Sequence, residues 1–476
     1  MKNMNYFKGL ILVLSAMAVP LPAAAASLLE IYQQALQSDP QIHEAEARRL
    51  AALEAKPQAR GVLLPQISAS GDWSQREVSG SEFNVAFGTT PFVSDTDGSG
   101  WEVGLRQTVF RWDQVIDLRR ADKSVARAEA VREAAQQYLI VRVAQRYFDV
   151  LAAEDRLTSI HANRTAIARQ LEQAKQRFEV GLIAITDVQE SQAAYDQAVA
   201  DEIAAKRTLA TAREFLREIT GEYVPALSAP GDDFPLLTPE PSDEASWVDL
   251  ALNQNLNLVA SRLDEQLARD EISYRRTGHY PTLELVASTG ETTTDGDASS
   301  TVNDELRTAR IDTTRETDFI GLQLNVPLFA GGATASRVRE AVYLHRASRE
   351  QLQRVTRETE RQARDAYLGV ISERSRVAAL EQAVQSSRTA LEATQAGFEV
   401  GTRTIVDVLN SQFSLYAAVT NYYQSRYDYL LNALRLKQAA GNLAIQDLER
   451  IDQFLEERKT PEQTFAEEAE AAADSE

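Results

Sequence analysis

The strongest constraint on the fold is a run of residues, 113–180, that contains neither glycine nor proline. As a helix this run would extend about 100 Å, at about 1.5 Å per residue. The run is too polar to be a membrane span, and a compact domain has no use for a helix of this length. The sequence therefore predicts very long helices in an extended helical architecture.

A second long segment, after Gly401, repeats apolar residues at heptad spacing. One stripe consists of Leu409, Tyr416, Tyr423 and Leu430, and a neighbouring stripe consists of Phe413, Tyr427 and Leu434. Heptad stripes are typical of coiled-coil packing. On the helices alone, a secreted structural coiled-coil or fibre protein is an open alternative.

Proline divides the chain into two halves. No proline lies between Pro91 and Pro225 or between Pro327 and Pro461, whereas several cluster from Pro225 to Pro241. Such a cluster between two proline-free runs indicates a linker. The predicted organisation is a signal peptide (1–26), a first repeat (27–222), a Pro-rich linker (223–247), a second repeat (248–442) and a C-terminal segment (443–476).

The two halves resemble each other in sequence. The peptide FEVGLIAITDVQ at 178–189 recurs as FEVGTRTIVDVL at 398–409, at an offset of 220 residues (398 − 178). Each half reads as helix, strand, loop, strand and a very long helical region. The sequence therefore predicts two internal structural repeats.

Short alternating segments predict two strands in each half, at 67–74 and 101–109 and at 283–288 and 320–326. In the second of them, Trp101, Val103, Leu105 and Val109 are expected to share one face. Each pair of strands encloses a polar segment, 75–100 or 290–317, which is expected to be a loop.

Alternation of this kind fits the wall of a transmembrane β-barrel, with apolar side chains toward lipid and polar side chains toward the lumen. An ordinary half-buried hairpin gives the same alternation. If the strands do lie in a membrane, four per chain cannot close a conducting barrel, and an open sheet edge in lipid would leave backbone groups unpaired. Several chains would then have to share one barrel.

The first residues have the pattern of a secretory signal peptide. Lys2 and Lys8 precede an apolar run, and the small residues Ala23–Ala26 follow it. This pattern predicts export with cleavage near Ala26.

Composition and motifs argue against several classes of function. The net charge of −20 argues against a nucleic-acid binder, because such proteins are normally basic. The lack of cysteine excludes disulfides and thiolate metal sites. The four histidines follow no metal-ligand spacing, so neither a cofactor nor an enzymatic activity is expected. The acidic segment after Phe454 is expected to be a disordered tail.

Motifs along most of the chain resemble the TolC family of outer-membrane efflux proteins. They are IYQQALQSDPQI, LLPQIS, HYPTLELVASTG, IGLQLNVPLFAGG, RFEVGLIAITDVQ and GFEVGTRTIVDVLN. The resemblance implies a mainly α fold with β structure. It also implies a homotrimer, with four strands from each chain in a 12-stranded outer-membrane barrel above a long periplasmic α-helical tunnel.

The resemblance also implies a function. The protein would be the passive outer-membrane exit duct of tripartite multidrug efflux pumps and of type I protein secretion in a Gram-negative bacterium. Its partners would be outer-membrane lipid, a periplasmic membrane-fusion adaptor protein and an inner-membrane transporter of RND, ABC or MFS type. The adaptor would dock at the hairpin tips, on Gly181, Leu182, Gly401 and Thr402.

The repeated corner carries the candidate site. Gly181 and Gly401 suit a helix end that needs positive φ, and Thr404 with Asp407 fits a capping box. By resemblance, Thr186, Asp187 and Arg403 would hold the tunnel shut, and Asp407 would form a ring of carboxylates.

Two positions of the corner depart from the family. Phe398 replaces a tyrosine that bonds to the aspartate at the position of Asp187, and Asn410 replaces a second lumen aspartate. We therefore expect the tyrosine bond to be absent and the acidic ring to be thinner.

Overall fold

A computed structural model describes residues 25–86, 88–231, 234–302 and 305–473. Nearly all of the predicted signal peptide, residues 1–24, lies outside the described residues.

Helices dominate the described chain, as the sequence predicts. The run without glycine or proline is one helix of 68 residues, α4 (Trp112–Glu179). Its counterpart in the second half, α8 (Ala333–Glu399), has 67 residues. These two are followed by α5 (Ile185–Thr220) and α9 (Ile405–Ala440), each of 36 residues. The shorter helices are α1 (Leu28–Ser38), α2 (Pro40–Leu53), α3 (Ala55–Gly61), α6 (Glu244–Gln254), α7 (Leu256–Arg276), α10 (Ile445–Asp452) and α11 (Pro461–Ala473), with a 3₁₀ segment at Thr277–His279.

Four long strands form one antiparallel sheet in the order β1-β2-β4-β5. They are β1 (Gln66–Asn84), β2 (Gly88–Phe110), β4 (Thr282–Val302) and β5 (Glu305–Asn325). The strands have 19 to 23 residues, so the expectation of short strands around polar loops at 75–100 and 290–317 is wrong. A separate pair consists of β3 (Ala229–Pro230) and β6 (Leu455–Glu456).

The backbone ladder explains why the polar segments are strand rather than loop. Pairing continues from Gln66 opposite Arg106 as far as the turn after Asn84, and the second hairpin is paired in the same way. Serine, threonine and aspartate indicate that side chains face water, but backbone N–H and C=O groups pair across strands whatever the side chains are. The polar composition of these segments therefore indicates that their side chains are exposed, but it does not indicate where the strands end.

The two faces of the sheet differ in chemistry. Strand register aligns apolar side chains on one face, among them Ile67, Leu105, Ala287 and Ile320. Residues at alternate positions point to the other face, which carries polar pairs such as Arg106 with Glu284 at 3.6 Å. The sheet is thus apolar on one side and polar on the other where the short strands were predicted.

An irregularity in β2 changes one predicted position. The register shifts between Thr108 and Phe110, so that Phe110 and not Val109 lies opposite Leu283. A bulge inserts one extra residue and moves every following side chain to the opposite face. The predicted place of Val109 at the end of the apolar row is therefore taken by Phe110.

The described chain folds into two compact units. One comprises residues 41–136 and 248–363 and contains the four-stranded sheet. Within it α4 and α7 are joined by ion pairs, with Arg120 and Glu271 at 2.6 Å and Lys123 and Asp270 at 2.6 Å.

The other unit comprises the described residues of 1–40, 137–247 and 364–476 and contains the Pro-rich linker. The long helices hold the linker through its backbone carbonyls. The Tyr147 hydroxyl of α4 donates to the Ser228 carbonyl at 2.5 Å, and the Tyr429 hydroxyl of α9 donates to the Leu237 carbonyl at 2.6 Å. Phenols that are buried need such partners, so the linker has a fixed path over these helices.

The segment after Phe454 differs from the expected disordered tail, because it contains β6 and α11. A buried network ties it to the long helices. Asp155 of α4 accepts a hydrogen bond from the Tyr427 hydroxyl at 2.5 Å and pairs with Arg458. Burial raises the pKa of the Asp155 carboxyl. Composition could not reveal these contacts, since they depend on one arginine meeting one buried carboxylate from a distant helix.

Candidate functional site

The candidate site consists of the two turns that end the long helices. The first tip (177–188) contains the turn from α4 to α5, and the second tip (397–408) contains the turn from α8 to α9. Gly181 has a φ of 75° and Gly401 a φ of 80°. Glycine adopts this left-handed conformation without steric cost, so the glycine repeated in the sequence is explained by the geometry of both turns.

The same backbone hydrogen bonds close both helices. The Leu182 N–H donates to the Arg177 carbonyl at 2.8 Å, and the Thr402 N–H donates to the Gly397 carbonyl at 2.8 Å. In each tip the glycine N–H also donates to the carbonyl three residues earlier, at 2.9 Å and 3.1 Å. This is the Schellman arrangement, which satisfies carbonyls at a helix end and fixes the direction in which the chain leaves it.

The next helices begin differently in the two tips. In the second tip the Thr404 N–H donates to the Asp407 carboxylate at 2.9 Å and the Asp407 N–H donates to the Thr404 hydroxyl at 3.3 Å, which forms the predicted capping box. Hydrogen bonds from the backbone and the hydroxyl of Thr404 lower the pKa of the Asp407 carboxyl. In the first tip Ala184 precedes α5 and provides no side-chain cap, so Asp187 lacks this role.

Each tip has an arginine, but at a different position. At the repeat offset of 220 residues, Arg177 of the first tip corresponds to Gly397 of the second. Arg403 of the second tip corresponds to Ile183 of the first. A Cβ atom added at Gly397 would lie 2.8 Å from the Arg403 Cγ atom. Glycine at 397 therefore leaves the space through which the Arg403 side chain passes.

Arg177 makes a contact that sequence reasoning missed. Its guanidinium carbon lies 5.1 Å from the centre of the Phe398 ring, which joins the first tip to the second. A cation over an aromatic face is attracted by the ring quadrupole, so Phe398 has a partner although it has no hydroxyl. The sequence did contain one signal for this contact. The two repeats differ at this position, which is Arg177 in the first and Gly397 in the second.

The structure does not bring the predicted closing group together within one chain. Among the described residues, no hydrogen bond or ion pair joins Arg403 to Thr186 or Asp187. The backbone N–H of Arg403 donates to the Gly397 carbonyl at 3.2 Å. Asn410 is exposed on α9.

The turns themselves present apolar side chains to solvent. Val180, Leu182 and Val400 are 71%, 72% and 76% exposed. Directly after the turns, Val188 and Val408 are buried. Each tip is therefore a packed helical hairpin that exposes apolar side chains at its turn.

Two further observations limit the chemistry of the described residues. They include no group of three or more His, Cys, Asp or Glu side chains that could hold a metal ion. None of the described helices has both the length and the apolar character needed to cross a membrane.

Comparison with known protein families gives a match over both halves. The family described as "Outer membrane efflux protein" matches residues 31–222 and 247–442.

Individual relatives cover nearly the same span. The chain is 39% identical over 428 residues to the outer membrane protein TolC of Vibrio cholerae serotype O1, covering 89% of this chain and 92% of the relative. It is 30% identical over 443 residues to the alkaline protease secretion protein AprF of Pseudomonas aeruginosa, covering 92% of this chain and 89% of the relative.

A solved structure has the same fold. The crystal structure of the outer membrane protein VceC from Vibrio cholerae superposes with a TM-score of 0.70 at 20% identity, and the match covers 87% of this chain and 96% of that one. At this level of identity the likeness concerns the fold alone.

The asymmetry of the caps gives a prediction. Thr404→Ala is expected to weaken the start of α9 by about 1 kcal/mol, because the N–H groups of its first turn lose the hydroxyl acceptor. The matched substitution Ala184→Thr is expected to strengthen the start of α5. Amide hydrogen exchange in the first turn of each helix measures both effects.

The same experiment has a pH dependence. Because the folded pKa of Asp407 is below its ordinary value of 3.8, its capping contribution is complete above that value and is lost as pH falls through the lower folded pKa. Equal exchange in the parent and both variants would show that the caps do not hold the tips.

Proposed function

The chain belongs to the family of outer membrane efflux proteins, and from this premise we propose that it is the outer-membrane exit duct of tripartite multidrug efflux pumps and of type I protein secretion. The observation that carries the proposal is the family match across both halves of the chain. Similarity to a TolC protein and to a protease secretion protein supports the two transport roles.

The alternative of a secreted coiled-coil or fibre protein is not supported. A fibre would explain the long helices but not the sheet with one apolar face. It would also not explain why the match to relatives includes the strands as well as the helices.

We propose that the working form is a homotrimer. The sheet has two unpaired edges, β1 and β5. Lipid offers no partner for the N–H and C=O groups of such an edge, so the edges of neighbouring chains must pair. Three chains with four strands each give a barrel of 12 strands, with the apolar face toward outer-membrane lipid and the polar face toward the lumen. The long helices would continue below it as a periplasmic tunnel.

We also propose that each chain consists of two internal structural repeats. Two separate segments match the family, and each contains one strand hairpin and one long helical hairpin. In a trimer the two repeats of each chain would give six hairpin tips around one axis.

We propose that a periplasmic membrane-fusion adaptor docks at the tips and that an RND, ABC or MFS transporter in the inner membrane supplies the energy. The support is the exposure of apolar side chains at the turns around Gly181 and Gly401, including Leu182. Exposed apolar residues that lie together are typical of a binding surface. Thr402 holds the position of Leu182 in the second tip.

The tips would also form the gate. Because Arg403 does not reach Thr186 or Asp187 within one chain, we place this bond between neighbouring chains of the closed trimer. A charge-assisted hydrogen bond contributes about 1.5 to 3 kcal/mol, so three copies could hold a tunnel shut.

Asp407 can serve both as a cap and in a ring of charge. The backbone N–H and the hydroxyl of Thr404 both donate to the Oδ2 atom of Asp407. The Oδ1 atom would then be left to face the lumen. Three such carboxylates would attract cations, and Asn410 in place of a second acid would make the ring weaker.

A deletion experiment tests the function. A strain without this chain is expected to become susceptible to unrelated dyes, detergents, bile salts and antibiotics, because several pumps would lose their common exit. Growth in each agent measures the effect. Leu182→Glu should fail to restore resistance, whereas Leu237→Glu, at a linker side chain that is 65% exposed, should restore it. Unchanged susceptibility after deletion would contradict a role in efflux.

Planar-bilayer recording tests the gate. Arg403→Ser is expected to raise single-channel conductance, because the bond between chains is lost, and Phe398→Tyr is expected to lower it or leave it unchanged. Arg388→Ser, which removes an exposed arginine of α8 outside the tip, is the matched control. If Arg403→Ser conducts like the parent, Arg403 does not close the tunnel, and Arg177→Gln then tests whether the contact with Phe398 does.

A further inference from the structure

Ala26 is built into the fold through its backbone. Its N–H donates to the Ala226 carbonyl at 2.9 Å, and its carbonyl accepts from the Ser228 N–H at 3.1 Å. These bonds form a parallel bridge between Ala26 and Leu227 of the linker. The first residues of the described chain are therefore fixed to the segment that joins the two repeats.

The surroundings of this bridge are buried. Tyr147 is fully buried, and its hydroxyl donates to the Ala26 carbonyl at 3.2 Å as well as to Ser228. Leu227 and Ser228 are 4% and 5% exposed. Removal of Ala26 would leave the Ser228 N–H without its acceptor in a place that water does not reach, and such groups are rarely left unpaired.

Ala25 is held much less. The Ser228 hydroxyl donates to its carbonyl at 3.3 Å, and a hydroxyl can rotate to another acceptor. Ser27, on the other side, caps α1 through a capping box with Glu30. Of the residues that the structure describes before α1, Ala26 is the one that is bonded to the linker through both its N–H and its C=O.

Several bonds have small residues at the positions one and three before the cut, as signal peptidases require, and two of them flank Ala26. Cleavage of the bond between Ala25 and Ala26 places Ala23 and Ala25 there, and cleavage one residue later places Ala24 and Ala26 there. The sequence alone does not choose between them.

We propose that the processing site is the Ala25–Ala26 bond, so that the mature chain begins with Ala26 and the signal peptide ends one residue before the boundary of 1–26 expected from the sequence. A signal peptidase adds water across this amide during export, before the chain folds. The bond between the Ala25 carbonyl carbon and the Ala26 nitrogen breaks, which leaves a carboxylate on the released peptide and an ammonium group on Ala26. The proposal rests on the predicted signal peptide and is independent of the transport function.

The new ammonium group suits its surroundings. It keeps an N–H for the Ala226 carbonyl, and it adds one positive charge near acidic side chains. Asp452 accepts the Leu29 N–H at 3.2 Å, so it lies close to the start of α1. Burial is the main cause that raises the pKa of the Tyr147 phenol, and the negative charges of Asp452, Glu154 and Glu30 raise it further against the lowering effect of the hydrogen bond to Ser228.

Intact mass and N-terminal sequencing of the protein from outer membranes decide the site. A mature chain that begins with Ala26 supports the proposal, and one that begins with Ser27 overturns it. A chain that retains Met1 would overturn both the site and the signal peptide, without any bearing on the duct function.

A variant separates the role of Ala26 from the preference of the peptidase. Deletion of Ala26 keeps Ala23 and Ala25 before the cut, so the product begins with Ser27. We expect a lower midpoint of thermal unfolding, because the bridge to Leu227 is lost. Ala26→Gly keeps both backbone groups and should keep the parent midpoint. A deletion variant as stable as the parent would show that Ala26 does not anchor the chain.

Discussion

The rest of the structure depends on one constraint, which is that backbone groups at the edge of a sheet need partners in lipid. The four-stranded sheet is apolar on one face over part of its length and has two open edges, β1 and β5. A membrane barrel can be built from it only by joining chains. In the proposed trimer the three chains would share one barrel, and the two helices of nearly 70 residues in each chain would form the tunnel.

Local chemistry in the sequence predicted much of this architecture. The absence of glycine and proline predicted α4, and the repeated FEVG peptide predicted two turns with positive φ at Gly181 and Gly401. The capping box at Thr404 was also readable, because its residues lie three apart. Each of these features is determined by neighbours in the sequence, and for this reason a single chain was enough to find them.

Features that depend on distant residues were not predictable in the same way. Strand length followed the backbone ladder and not the polar composition of 75–100. The tail after Phe454 is bound by contacts with distant residues, among them Arg458 with Asp155 and Glu462 with Arg213, and the two tips meet through Arg177 and Phe398. In the candidate site the positions of the turns and of the capping box could therefore be predicted from local residues, whereas the side-chain contacts between helices could not.

The number of chains in the assembly tests the central claim most directly. Native mass spectrometry of the detergent-solubilised protein measures it from the mass of the complex. The account predicts three copies of the chain, which remain together while detergent covers the apolar face. A monodisperse monomer that stays in solution without detergent would contradict the shared barrel and the duct that depends on it.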